Sequence, residues 1–295
     1  MEKVDLYRPT DSSPSPLTSI SVPPKAHVIA CGTMDSNIII VDSKSGKEKR
    51  GISGHSGAVA DVSFGSNSNS IISCSWDRTT RLWNRKNIEE SMVLKHPSEA
   101  KALTISLKLG KGASGSRDGM VKIFSLRSFK TIRNLQAHRS DISGIAIIDE
   151  EKQIVTSSYD GTCKLWDLSS YDAVKTLVKQ KERIRSMTAT LDGSSVFLGS
   201  QNGKMVQVNI ANPRNRSEMP GHKDLVSALS IDPTGRYLAS ASWDRTIRIW
   251  SLDDLSELAM GKLVAGIASI TWSSNGTHVF SSDLSGSIVS WKPSI

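Results

Sequence analysis

Three cysteines, six histidines and an aromatic content of 5% are little for a chain of 295 residues, and each scarcity excludes something. Cys31, Cys74 and Cys163 are odd in number and sit inside apolar, strand-like runs. They are expected to be buried reduced thiols rather than a disulfide framework, which points to the cytoplasm or nucleus. The sequons at Asn215 and Asn275 are then expected to stay unused. No apolar run approaches the roughly 20 residues of a membrane span, and MEKVDLYRPTDSSPSP lacks the basic-then-apolar order of a secretion signal. No Cys or His pair has metal-ligand spacing, so neither a metal nor a cofactor is expected. The net charge of +8 is spread along the chain without a polybasic tail. That pattern fits a solvated surface, and where the charge has a use it favours acidic partners or nucleic acid.

What the chain does have is a refrain. SCSWDRTTRLW at residues 73–83 returns as SASWDRTIRIW at 240–250, with eight of eleven positions identical. The last residue of this phrase has equivalents at Val41, Trp83, Phe124, Trp166, Val208, Trp250 and Trp291, at steps of 41 or 42 residues. A fixed period of this length marks a repeat architecture of seven units. The unit from residue 221 reads LVSALSI, a turn at Asp232-Pro-Thr-Gly, YLASAS, a turn at Asp244-Arg, and TIRIWSL. Alternation, β-branched residues and turn residues at about ten-residue spacing predict four strands per unit and essentially no helix. Four-stranded units repeated radially make a β-propeller, so the expected fold is all-β, with seven blades of antiparallel strands.

A second pattern runs through the period. His55, Ser73, Asp77 and Trp83 stand at steps of 18, 4 and 6, repeated by His138, Thr156, Asp160, Trp166 and by His222, Ser240, Asp244, Trp250. His96, Ser114, Asp118 and Phe124 differ by losing the indole. A buried aspartate needs donors, imidazole passes a hydrogen bond onward, hydroxyl donates and accepts, and indole N–H donates, so each set can satisfy itself as a network. On these motifs the chain resembles the WD-repeat family over nearly its whole length. The resemblance implies that the four residues form a structural tetrad in each blade. The namesake dipeptide at the end of the third strand survives only as Trp166-Asp167. The first, fifth and seventh units depart from the pattern, with Cys31, Asp35, Val41, with Leu198, Asn202, Val208, and with Ser281, Ser285, Trp291. Those blades are expected to rely on packing.

The seventh unit ends at Trp291-Lys-Pro-Ser-Ile, while Lys3 to Arg8 have strand character. Propellers of this family usually complete one blade from both termini, which implies that residues 3–8, centred on Val4 to Tyr7, supply its outer strand. Residues 9–15 would be a connector, with Ser13-Pro and Ser15-Pro as candidate phosphorylation sites, and 16–295 the seven blades of a single domain. Two apparent enzyme motifs fail on context. Gly110-Lys-Gly-Ala-Ser-Gly115 fits a dinucleotide fingerprint, but it straddles a hairpin rather than a strand-to-helix turn. The His/Ser/Asp sets hold the ingredients of a hydrolase triad, yet they recur at fixed spacing where a catalytic set would occur once. The expectation is a chain with no catalytic residues.

Function then falls to the surface. The resemblance implies a top face built from turns around the central channel, where the residue before the tetrad aspartate is displayed. These residues are Met34, Trp76, Arg117, Tyr159, Gln201, Trp243 and Leu284. Aromatic residues and arginine are the types that dominate interfaces. A second ring lies early in each inner strand: Thr18, Ala60, Lys101, Ser143, Arg185, Ser227 and Ala268. Lys101, Arg183 and Arg185 add positive charge beside the aromatics, with Lys179 and Lys181 in the approach. Asp149-Glu-Glu151 and Asp253-Asp254 are assigned to the opposite face, which also carries Arg85-Lys86. The candidate partner-binding residues are therefore Trp76, Lys101, Arg117, Tyr159, Arg183, Arg185, Gln201 and Trp243. They suit an acidic or phosphorylated segment of another protein, bound by a propeller that is a monomer on its own. RNA contact is the alternative, since aromatics stack bases while Arg and Lys hold phosphates. A ubiquitin-ligase substrate receptor is a third reading, weakened because Trp83-Asn-Arg, Phe124-Ser-Leu-Arg and Trp166-Asp-Leu-Ser each complete only part of the W-D-x-R signature.

Overall fold

Turn chemistry sets the strands. At Asp232-Pro-Thr-Gly the Asp232 carboxylate accepts the N–H groups of Thr234 (2.9 Å), Arg236 (2.7 Å) and Tyr237 (2.7 Å). Gly235 takes the left-handed conformation (φ 74°), so Val226–Ile231 turns back directly into Tyr237–Ser242. The same construction recurs through the computed structural model, which describes residues 1–10, 13–24, 27–65, 69–87, 92–148 and 152–294. Seven four-stranded antiparallel sheets result. In six of them the strands, here a to d from the axis outward, follow chain order. The seventh orders Ile267–Trp272, Val279–Asp283 and Ile288–Lys292, and then takes Glu2–Tyr7 as its outer strand. The expected all-β propeller of seven blades, closed by the N-terminal strand, is borne out. Among the described residues no helix is long and apolar enough to cross a membrane.

The strands grade from enclosed to wet. Strand b of blade 1 (Val28–Thr33) is buried at every position, whereas strand d of blade 3 (Thr131–Gln136) is exposed at all but one. Apolar side chains gather in seven clusters, each spanning two neighbouring blades. One of them joins Val28, Ala30 and Ile40 of blade 1 to Val62, Phe64 and Trp83 of blade 2. The ring shuts where strand a of blade 1 (Leu17–Ser21) meets strands a and b of blade 7. Two of the three glycines of the apparent nucleotide fingerprint serve this packing: a Cβ on Gly112 would come 2.3 Å from the Phe124 ring, and one on Gly115 would strike Ile142.

Three tetrads close fully. In blade 2 the Trp83 indole N–H donates to Ser73 Oγ (2.7 Å), Ser73 donates to His55 Nε2 (2.8 Å), and His55 Nδ1–H donates to Asp77 Oδ2 (2.7 Å). Because the ionised Asp77 carboxylate can only accept, the proton of a neutral imidazole sits on Nδ1, which leaves Nε2 to accept from Ser73. Asp77 also accepts both the N–H and the hydroxyl of Thr79 (2.9 and 2.6 Å); against the opposing effect of burial its carboxyl is held far below the usual range, chiefly by His55 and then by the Thr79 hydroxyl. His138–Thr156–Asp160–Trp166 and His222–Ser240–Asp244–Trp250 repeat the chain, with Thr162 and Thr246 in the place of Thr79.

Blade 3 corrects the sequence reading. His96 Nε2 meets Ser114 Oγ (3.0 Å), but Nδ1 has no partner among the described residues, and Asp118 Oδ1 is taken by Ser116 Oγ (2.6 Å) and the Met120 N–H (3.2 Å). Besides lacking an indole, this blade has Met120 where the others have threonine, so the hydroxyl that bridges Asp and His is missing. Burial pushes His96 down to about 4, leaving a neutral ring with an unsatisfied nitrogen. Blade 7 departs in the other direction. It was expected to rely on packing, yet Trp291 donates to Ser281 Oγ (2.9 Å), and Asp283 gathers the N–H groups of Ser285 and Ser287.

Polar clasps join the inner strands of adjacent blades. Ser227 Oγ donates to Ile267 O (2.6 Å), Ser186 Oγ to Val226 O (2.8 Å), and the Leu103 N–H to Asp61 Oδ2 (3.0 Å). Burial pushes the Asp61 carboxyl up to about 7.

Met120→Thr is expected to complete the third network and raise the free energy of unfolding by about 1 kcal/mol, read from the denaturant midpoint. A lower midpoint would mean that Asp118 cannot leave Ser116. The Asp61 carboxyl titrates near 3.9 when unfolded. Between that value and about 7 the fold holds a proton that the unfolded chain has lost, so this group's contribution to stability falls as pH rises through the window. Asp61→Asn should flatten that part of the stability–pH curve; an unchanged slope between about pH 4 and 7 would show that Asp61 is ionised throughout.

Candidate functional site

The top face is positioned by two features that recur around the ring. The first residue of each b–c turn donates its N–H to the residue just before strand a of the same blade. Trp76 bonds Ala58 O (2.9 Å), Arg117 bonds Glu99 O (2.9 Å), Tyr159 bonds Asp141 O (3.0 Å), and Gln201 bonds Arg183 O (2.9 Å). Each displayed side chain is thereby set beside a residue of the incoming turn. The second feature is a shift in register between strands a and b in every blade, which falls at Thr18, Ala60, Lys101, Ser143, Arg185, Ser227 and Ala268. A bulge of this kind leaves one residue unpaired and re-aims its side chain. Thr18 and Ser227 use the freedom to clasp the next blade. Lys101 and Arg185 use it to place charge on the rim.

Between blades 2 and 5 these features enclose a cavity of about 430 Å³ lined by Trp76, Lys101, Arg117, Tyr159 and Arg183, together with Glu99, Ser140 and Asp141. Lys101 Nζ lies 2.6 Å from Asp141 Oδ2, and 5.8 and 5.1 Å from the rings of Trp76 and Tyr159. Arg117 pairs with Glu99 at 3.3 Å. The Ser98 hydroxyl is the main cause holding the Glu99 carboxyl below its ordinary value, with Arg117 adding to it. Tyr159 is the centre of the arrangement, because the guanidiniums of Arg185 and Arg183 also lie over its ring at 4.5 and 5.9 Å. Cations held over an aromatic face gain from its quadrupole and stay ordered without a carboxylate.

Six of the eight candidate partner-binding residues thus come together: Trp76, Lys101, Arg117, Tyr159, Arg183 and Arg185. Gln201 and Trp243 do not line the cavity. Trp243 sits in blade 6, where Gly266 lies between it and Leu284. The sequence reading missed Glu99 and Asp141. Their signal was positional, since each is the residue immediately before the first apolar residue of an inner strand, the slot that Arg183 fills in blade 5. Asp253 and Asp254 lie in a c–d turn, away from the b–c turns, whereas Asp149, Glu150 and Glu151 fall outside the described residues. Among the described residues no group of three or more His, Cys, Asp or Glu could hold a metal.

Fold and tetrads together define the class: a seven-bladed β-propeller knit by repeated Asp–His–Ser/Thr–Trp networks. The family profile described as "WD domain, G-beta repeat" matches residues 46–84, 129–167 and 214–251, the stretches that carry the three closed tetrads. The chain thus carries WD repeats within a seven-bladed propeller. It is 24% identical over 260 residues to the guanine nucleotide-binding protein subunit beta of Oryza sativa subsp. indica, covering 77% of this chain and 67% of that protein. It is also 27% identical over 274 residues to the nuclear distribution protein PAC1 of Arthroderma otae, covering 80% of this chain and 59% of that protein. The same beta subunit from Zea mays is 23% identical over 260 residues, covering 77% of this chain and 67% of that one.

Of the seven tryptophans, Trp76 and Trp243 are each 44% exposed and the other five are buried. Iodide should therefore quench emission almost wholly from these two, and more efficiently from Trp76, where the Lys101 ammonium concentrates the anion. In Stern–Volmer plots Trp76→Phe should remove the steeper component and Lys101→Met should lower it. Unchanged plots for both variants would place Trp76 away from Lys101 in solution.

Proposed function

We propose that this chain is a non-catalytic interaction scaffold that holds an acidic or phosphorylated segment of a partner protein in the top-face pocket centred on Tyr159. The observation that carries this reading is the grouping of three cations over one tyrosine, with Trp76 and Arg117 beside them, at a cavity large enough for a side chain. Arginine meets carboxylate and phosphate through two parallel hydrogen bonds, and stacking on Tyr159 orients the guanidiniums before a ligand arrives. The relatives support the scaffold class, one of them being a subunit by name. Three of the His/Ser/Asp sets are committed to buried networks, and His96 of the fourth is itself buried away from a substrate. We place the chain in the cytoplasm or nucleus, acting as a monomeric propeller within larger assemblies. Burial pushes the thiols of Cys31 and Cys163 well above their ordinary value, which suits cysteines that stay reduced and inert.

Affinity purification from cells, with and without ribonuclease, tests this reading. The double variant Tyr159→Ala, Arg183→Ala should lose a protein partner at least about tenfold while its circular dichroism stays native, and Trp243→Ala should keep it. Partners retained by the pocket variant would move the site elsewhere on the propeller. Partners lost to ribonuclease alone would make RNA the ligand.

A further inference from the structure

The pocket is lined by three cations, Lys101, Arg117 and Arg183, and two carboxylates, Glu99 and Asp141, and a fourth cation, Arg185, joins them over the Tyr159 ring. The carboxylates are already engaged, Asp141 with Lys101 at 2.6 Å and Glu99 with Arg117 at 3.3 Å. Arg183 and Arg185 face Tyr159 and make no ion pair with a carboxylate among the described residues. The local balance is therefore two positive charges, both on guanidiniums. A single carboxylate entering this site offers Lys101 and Arg117 nothing that Asp141 and Glu99 do not already supply, and the resident groups are tethered, so they compete at high effective concentration. A phosphomonoester differs in kind. It brings about −1.5 to −2 charges and three strong acceptor oxygens, enough to match both guanidiniums at once.

Resting on the top-face reading above, we propose that the pocket selects a phosphorylated side chain of a partner protein over an aspartate or glutamate. Arg183 and Arg185 grip the phosphate, and Asp141 and Glu99 are the resident competitors that turn away single carboxylates. Tyr159 sets the spacing of the grip. Without a carboxylate of their own, Arg183 and Arg185 depend on its ring for their position. A phosphodiester backbone is the poorer match, because each of its phosphates carries one charge and its neighbours would meet Asp141 and Glu99.

The test uses the whole chain and three sets of short fluorescent peptides with mixed flanks, centred on phosphothreonine, glutamate or threonine, with oligouridylate as a fourth probe. Fluorescence anisotropy should show the phosphothreonine set binding at least about tenfold more tightly than the glutamate set. No histidine lines the pocket, so binding that weakens several-fold from about pH 7 to about pH 5 reports the phosphate taking up its second proton. Asp141→Asn, which preserves shape, should strengthen glutamate binding and narrow the ratio between the two sets. Arg185→Lys should weaken phosphothreonine binding, because a point charge replaces the planar fork. Arg183→Gln, at an exposed position, provides a second loss that does not threaten folding.

Equal affinity for the glutamate and phosphothreonine sets would overturn the selection while leaving the top-face reading intact. Binding by neither set would overturn both. Phosphothreonine binding that ignores Arg183→Gln and Arg185→Lys would place the phosphate elsewhere and overturn the assignment. Tighter binding of oligouridylate would overturn it in favour of RNA.

Discussion

Each blade is a sheet with two apolar faces, and neither face can be left in water. This constraint governs the rest of the molecule. Burying both faces of one sheet requires a neighbour on each side, and the requirement passes around the ring until the last blade meets the first. The seven clusters shared between adjacent blades are the result. Strand twist makes such a stack wedge-shaped, so the inner strands converge on the axis while the outer strands splay into solvent. The polar networks are subordinate to this packing. They fasten turns onto strands at the rim, and blades 1 and 5 hold their places in the ring without a tetrad.

The architecture was legible because the repeat wrote it seven times. Any one unit, read alone, could have been a short meander; the recurrence of Trp83 at Trp166, Trp250 and Trp291 made it a blade. The details that escaped are those a period conceals. His96 and Asp118 keep the spacing of His55 and Asp77, and spacing alone says they bond. What separates them is the residue two places after the aspartate, threonine in three blades and Met120 in the fourth. A network depends on all its members, so matching three positions out of five misleads. Blade 7 is the reverse case, where a weak motif match hid an indole–hydroxyl bond that needs only Trp291 and Ser281.

The candidate site was half legible for a related reason. Residue type showed where cations and aromatics gather, and the tyrosine–arginine–lysine grouping follows from strand ends that the period locates. The carboxylates Glu99 and Asp141 lay outside any motif, and only the folded chain reveals that they pair with Arg117 and Lys101. The bulge was equally invisible. Nothing in the residues at Thr18, Ala60 or Ser143 announces an irregular strand, because the bulge is a property of how strand a meets strand b. Yet it is this geometry that turns Lys101 and Arg185 toward the rim.

The outer strand of blade 7 ties Glu2–Tyr7 to Ile288–Lys292. On the ribosome the first of these segments emerges long before the second, so the strand waits without its partner through almost the whole of synthesis. Contacts so distant in sequence form late and slowly, and until they do the ring has an open seam with a bare sheet edge and half-covered blades on either side. The final clasp is therefore a kinetic checkpoint as much as a stabilising one. A chaperone that held the N-terminal strand until the last strand appeared would meet the need that this topology creates.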